Sequence, residues 1–161
     1  MKRRFPAIVL AFLLPLAAVA QAPVAKSQYE LNRQVVETNR QAIVAANLPL
    51  TEAEAEAFWP VYRKYRNSVA EMDSKAFDII MEYARLYNAE GVTDEAGLRL
   101  TQAAIDNDRA RQRAREQQWR DVQKVLPGAK AARYMQIEGK LDAIRRAELV
   151  KEIPLVEPAA N

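Results

Sequence analysis

The stretch EAEAEAFWPVYRKYRNSVAEMDSKAFDIIMEYARLYNA, residues 52–89, decides the fold class. Its apolar positions fall at Phe58, Tyr62, Tyr65, Val69, Met72, Ala76, Ile79, Tyr83 and Leu86, separated alternately by four and three residues. Only a helix gathers such positions on one side, and this repeat is that of a helix packed lengthwise on another. At ~1.5 Å per residue the segment is on the order of 55 Å long. A globular core cannot enclose a rod of that length. The expectation is an all-α chain, an extended hairpin of about four helices, with a second copy completing the burial. Pro60 lies inside the helix, where it removes one hydrogen bond and should bend the rod near residues 56–60.

The flanks extend the pattern. Thr51-Glu52-Ala53-Glu54 is a capping box that opens the long helix. Upstream, Ser27-Gln28-Tyr29-Glu30 is another, so a first helix is expected from Ser27 to Asn47. Leu31, Val35, Val36, Ile43 and Val44 give it a patchy apolar face. Downstream, Gly91 ends the long helix, and Thr93 or Asp94 starts a third that runs to about Leu126. Leu98, Thr101 and Ile105 begin its seam, and Trp119, Val122 and Leu126 finish it. Between them the same register falls on Asp108, Gln112 and Arg115, so the middle of this helix reads as polar on every side. Pro127-Gly128 breaks the chain ahead of a fourth helix, 129–150, carrying Tyr134, Ile137, Leu141 and Ile144. Residues 151–161 read as an irregular tail. No strand pattern and no strong internal repeat is present.

The beginning of the chain carries an address. Lys2, Arg3 and Arg4 precede an apolar run from Ala7 that ends in Ala18-Val19-Ala20, a small-x-small cleavage pattern. This is the form of a secretory signal peptide, expected at 1–20, with export to the periplasm. Residues 21–26 are expected to be flexible and 27–150 to form the helical domain. The apolar run is shorter than the ~20 residues a spanning helix needs, so no stable membrane anchor is expected. Lipidation at an N-terminal cysteine is excluded, because the chain has none. The leader holds three of the 24 basic residues and none of the 21 acidic ones, so the rest of the chain is charge-balanced. The overall net charge of +3 thus comes from the leader, and with it goes the electrostatic case for nucleic acid.

Chemistry is sparse. With neither histidine nor cysteine, imidazole acid–base catalysis, thiol nucleophiles and the usual zinc, nickel and copper ligand sets are missing. Glu52, Glu54 and Glu56, and also Asp106 with Asp108, are spaced by two on helices, which splits each set across faces. The expectation is no catalytic site, no metal site, no cofactor and no enzyme.

Two features invite a binding role. Arg109, Arg111, Arg113, Arg115 and Arg120 face a single acid, Glu116, within residues 109–120. They form either a cationic patch for an acidic partner or a solvated face paired with the long helix. The latter has eight acidic against five basic residues over 52–90. Phe58, Trp59, Tyr62 and Tyr65 are either core or a groove whose aromatic bodies accept apolar segments while the phenol tips stay wet. The candidate client- or partner-binding residues are Phe58, Trp59, Tyr62, Arg111 and Arg115.

Leu50-Thr51-Glu52-Ala53-Glu54, followed by Phe58-Trp59-Pro60-Val61-Tyr62, resembles the motif of the LTxxQ periplasmic proteins, the Spy/CpxP group. The motif positions here are Leu50, Thr51 and Glu54, the last standing where that family has glutamine. Val125-Leu126-Pro127-Gly128 stands where the family has its second motif and keeps only the leucine. The resemblance covers residues 27–150 as well as the leader and the helix order. It implies a thin, curved helical hairpin that forms a homodimer. It also implies an ATP-independent, chaperone-like envelope-stress protein binding unfolded proteins. The alternative it implies is a regulatory adaptor docking on the periplasmic domain of a sensor kinase. A metal-related role, which relatives of the group have, lacks its imidazole and thiol ligands here.

Overall fold

The computed structural model describes residues 18–89 and 91–156. They form four helices, α1 (Ala18–Asn47), α2 (Glu52–Tyr87), α3 (Asp94–Val122) and α4 (Gly128–Glu152), with no β-strand among the described residues. The all-α class and the four helices read from the sequence are therefore the observed ones. The basic n-region and most of the apolar run of the expected leader lie outside the described residues, as do residues 157–161 of the expected tail. No described helix is long and apolar enough to cross a membrane.

The chain divides into two units, residues 1–42 and 43–161. In the first, α1 begins at Ala18, well before the expected start at Ser27, and is helical through 21–26, where a flexible segment was expected. The capping box at Ser27 is overridden: Ser27 is interior to the helix. Glu30 accepts a hydrogen bond from Arg33 at 2.8 Å, one turn on. Ala18, Ala20, Ala22 and Ala25, on the N-terminal side of this point, favour extending the helix backwards over starting it at Ser27.

In the second unit, α2 and α3 form an antiparallel hairpin. The ion pairs Lys64–Asp121, Asp73–Arg111 and Glu82–Arg99 advance along α2 as they retreat along α3. The turn holds Gly91 at φ 89°, a left-handed conformation that a side chain disfavours. α2 starts on the predicted capping box: Thr51 accepts from the Glu54 N–H, and Glu54 accepts from the Thr51 N–H. It continues through Pro60. Both Pro60 and Glu56, whose carbonyl loses its donor there, are exposed, so water can take the vacant bond. Every position of the predicted α2 stripe, from Phe58 to Leu86, is buried or half-buried.

The fourth helix runs parallel to α2. Lys130 pairs with Glu54, Tyr134 meets Phe58, Glu138 pairs with Arg66, and Arg145 pairs with Asp73. The tail carries the sequence on, and the Tyr83 hydroxyl donates to the Pro154 carbonyl at 3.0 Å. The core sits at the end of this three-helix stack where α1 enters. Val44, Leu48, Phe58, Tyr62, Val122, Leu126, Ala131 and Tyr134 are buried together there. Phe58 and Tyr134 meet edge to face at 5.0 Å between ring centres, the arrangement ring quadrupoles favour.

The α3 register corrects the sequence reading. Leu98 and Ile105, expected on the inner seam, point outward at 76 % and 42 % exposure, and Trp119 follows at 38 %. The inward side is instead Leu100, Ala103, Asn107, Ala110, Ala114, Gln118 and Val122, all buried or half-buried. The helix is therefore not polar all round. Between Leu100 and Val122 its inner face is made of alanines and of amides that bond to the neighbouring helices. Asn107 donates to the Met72 carbonyl at 3.0 Å, and Gln118 donates to the buried Tyr134 hydroxyl at 2.8 Å. From this face Asn107 reaches α2 and Gln118 reaches α4, while the larger Leu98, Ile105 and Trp119 are left outside.

Candidate functional site

The aromatic candidates lie in the core. Phe58 is fully buried and Tyr62 nearly so. Trp59 is half-buried, edge-on to Phe58 at 5.1 Å and to Tyr62 at 5.3 Å. Of the two readings left open by the sequence, these contacts fit core packing. Tyr134 completes the group. Burial pushes its phenol far above the usual tyrosine range, while the Gln118 bond pulls the other way, so it stays neutral and donor-capable.

The arginine candidates are spent inside the hairpin. The Oδ1 of Asp73, a carboxylate only 4 % exposed, accepts from Arg111 on α3 and from Arg145 on α4, each at 2.7 Å. Arg115 reaches across to Asp142 on α4 at 3.8 Å. It passes close to Gly139, where a methyl group would sit 3.2 Å from its guanidinium. A short row of ions thus pins three helices together: Arg66 with Glu138, Arg115 with Asp142, and Asp73 with its two arginines.

The motif residues act as a clip. Leu50 packs on the core cluster and Thr51 caps α2. Glu54 both completes the cap and accepts from Lys130 of α4. The Lys130 hydrogen bond, followed by the Thr51 N–H, holds the Glu54 carboxyl below the usual range.

What the sequence reading missed lies on the far side of α3. Leu98, Ile105, Gln112 and Trp119 recur every seven residues and so share one side of the helix, and all four are exposed. Arg109, Arg113 and Arg120 flank this row. Arg109 is paired at 3.2 Å with Asp106, and Arg120 donates to Gln117. Arg113 and Asp108 make no ion pair among the described residues. An outward apolar row thus stands beside loosely paired cations on this side of α3. The signal that could have found it is the alanine repeat Ala96, Ala103, Ala110: small residues at heptad spacing mark the inward face as firmly as leucines do. Among the described residues, no cluster of carboxylates could hold a metal ion.

Comparison with known proteins adds no relative: no family model, no curated protein and no solved structure matches the chain at a significant level.

Proposed function

We propose that this is an exported, periplasmic, ATP-independent holding protein that binds unfolded or partly folded chains on the outer face of α3. The observation that carries it is the exposed row Leu98, Ile105 and Trp119, left over after the α2 stripe has satisfied the core. Single exposed apolar residues are ordinary, but here three lie along one side of a single helix, interrupted only by Gln112 between Ile105 and Trp119. The leader pattern at 1–20 and the likeness of Leu50-Thr51-x-x-Glu54 to the LTxxQ motif support the same reading.

A second copy is the resting occupant of that strip. Residues 94–108 hold four exposed acids against Arg99, and residues 109–120 hold three exposed arginines, Arg109, Arg113 and Arg120, against Glu116. Two α3 helices laid antiparallel therefore match acidic halves to basic ones, and bring Leu98 of each copy beside Trp119 of the other. Client and second copy compete for one face. The test is light scattering of the protein lacking its leader, with and without a chemically unfolded client. The proposal expects a dimer alone, suppressed client aggregation, and dissociation of the dimer as client is added. Protection no better than that of an inert helical protein overturns it. Saturable binding to one native partner without protection selects the adaptor role instead.

A further inference from the structure

A second surface on the same unit has a more defined chemistry. Ile43 and Asn47, in the last turn of α1, and Arg133, Gln136, Ile137, Lys140 and Leu141 of α4 enclose an open groove of about 300 Å³. Its floor is aliphatic, from Ile43, Ile137 and Leu141. Its rim is cationic at both ends: Arg133 and Lys140 are two helical turns apart, ~10.5 Å along the axis. No carboxylate lines it. Arg133 spends its Nε on the Asn47 carbonyl, which fixes the guanidinium at the groove edge and leaves its other nitrogens available. Lys140 makes no hydrogen bond or ion pair among the described residues. An apolar floor between two cations, with no acid in its lining, is complementary to an apolar group between two anions.

We propose that this groove is a client subsite, and that it takes an extended peptide segment of the form acid–x–aliphatic–x–acid. The proposal rests on the holding role above and names the class of segment bound. In an extended chain, residues i, i+2 and i+4 share a face, and the outer two are ~13 Å apart. The flexible stems of Arg133 and Lys140 make up the ~2–3 Å excess over their axial separation. The middle side chain then lies on Ile137 and Leu141. A helical ligand would need its acids seven residues apart instead, so the spacing separates the two conformations.

The probe is a dye-labelled peptide, Ser-Glu-Ser-Leu-Ser-Glu-Ser, followed by anisotropy at low ionic strength against the full chain lacking its leader. The comparison peptide replaces both glutamates with lysine. The expected result is saturable binding of the acidic peptide, none of the lysine peptide, and at least a tenfold loss of affinity in Lys140→Glu. Lys140 is exposed, so this variant should melt with the wild type; Lys140→Gln provides a second, milder step with an intermediate loss. Equal affinity in wild type and both variants, or equal binding of both peptides, overturns the subsite. Aggregation assays on the same variants keep the two ideas apart. Protection that persists without acidic-peptide binding sinks the groove and leaves the α3 strip standing. Peptide binding without protection keeps the groove and sinks the holding role.

Discussion

Replacing Asp73 with alanine should reveal what the buried ion row contributes. Asp73 is the point where all three helices of the stack meet, through one oxygen bonded to Arg111 and Arg145. The three side chains are unequally covered: Asp73 is 4 % exposed, Arg111 18 % and Arg145 43 %. Removing one partner of a well-buried pair costs about 3–5 kcal/mol, because the survivor stays buried without its counter-charge. That cost applies to Arg111. Arg145 can swing into water, and an exposed pair contributes only ~0–1 kcal/mol. Asp73→Ala should therefore lose about 3 kcal/mol, within the ~5–15 kcal/mol that a domain of this kind has to lose. A double-mutant cycle separates the two arginines. Urea unfolding followed by circular dichroism should give a coupling near 2 kcal/mol for Asp73 with Arg111, and under about 1 kcal/mol for Asp73 with Arg145. Equal couplings, or a loss below about 1 kcal/mol for Asp73→Ala, would refute the argument that burial sets the cost.

Other expectations follow from the same geometry. Tyr134→Phe removes the hydroxyl to which Gln118 donates and should cost about 1–3 kcal/mol in urea unfolding, since a buried amide is left without its acceptor. Gly97→Ala should stabilise by about 0.5–1 kcal/mol, because the added methyl meets only Val92 at an ordinary 3.8 Å and the helix loses a flexible interior residue. Thr51→Ala should cost about 1 kcal/mol through loss of the α2 cap. Acidification should destabilise. Glu54 is held below its ordinary range first by Lys130, Glu82 by Arg99, and Asp121 by Gln117 and then Lys124. Each lowered group contributes stability that is complete above the unfolded value, near pH 4, and is lost as pH falls through the folded one. Thermal melts should coincide at pH 7 and 5 and drop towards pH 3. A melting temperature that rises over that interval contradicts the assignment.

The long helix was legible because its burial signal is the kind a sequence displays: large apolar side chains at a fixed repeat, opened by Thr51 and Glu54 and closed before Gly91. The inner face of α3 was not, because its burial is carried by Ala103, Ala110 and Ala114 and by amides that look polar in isolation. Reading hydrophobicity alone placed Val122 and Leu126 correctly in the core but put Leu98, Ile105 and Trp119 there too, and these face outward. The same misreading hid the strip now proposed as the binding face, since residues assigned to the core are not sought on the surface. Asp73 was invisible for a different reason. It shares a helix with other acids, and only the approach of Arg111 and Arg145 from two further helices, 38 and 72 residues away in sequence, singles it out. At α1 a local signal gave the wrong boundary: the Ser27 box is chemically sound, but the alanines upstream of it, Ala18, Ala20, Ala22 and Ala25, favour carrying the helix back to Ala18.

The decisive measurement is turbidity of a chemically denatured client, diluted into buffer with the wild type or with the double variant Leu98→Ser, Trp119→Ser, after circular dichroism has shown equal helix content and melting. Loss of most of the protection, with the fold intact, is the result expected if the outer row of α3 does the holding. Undiminished protection by the double variant would contradict it.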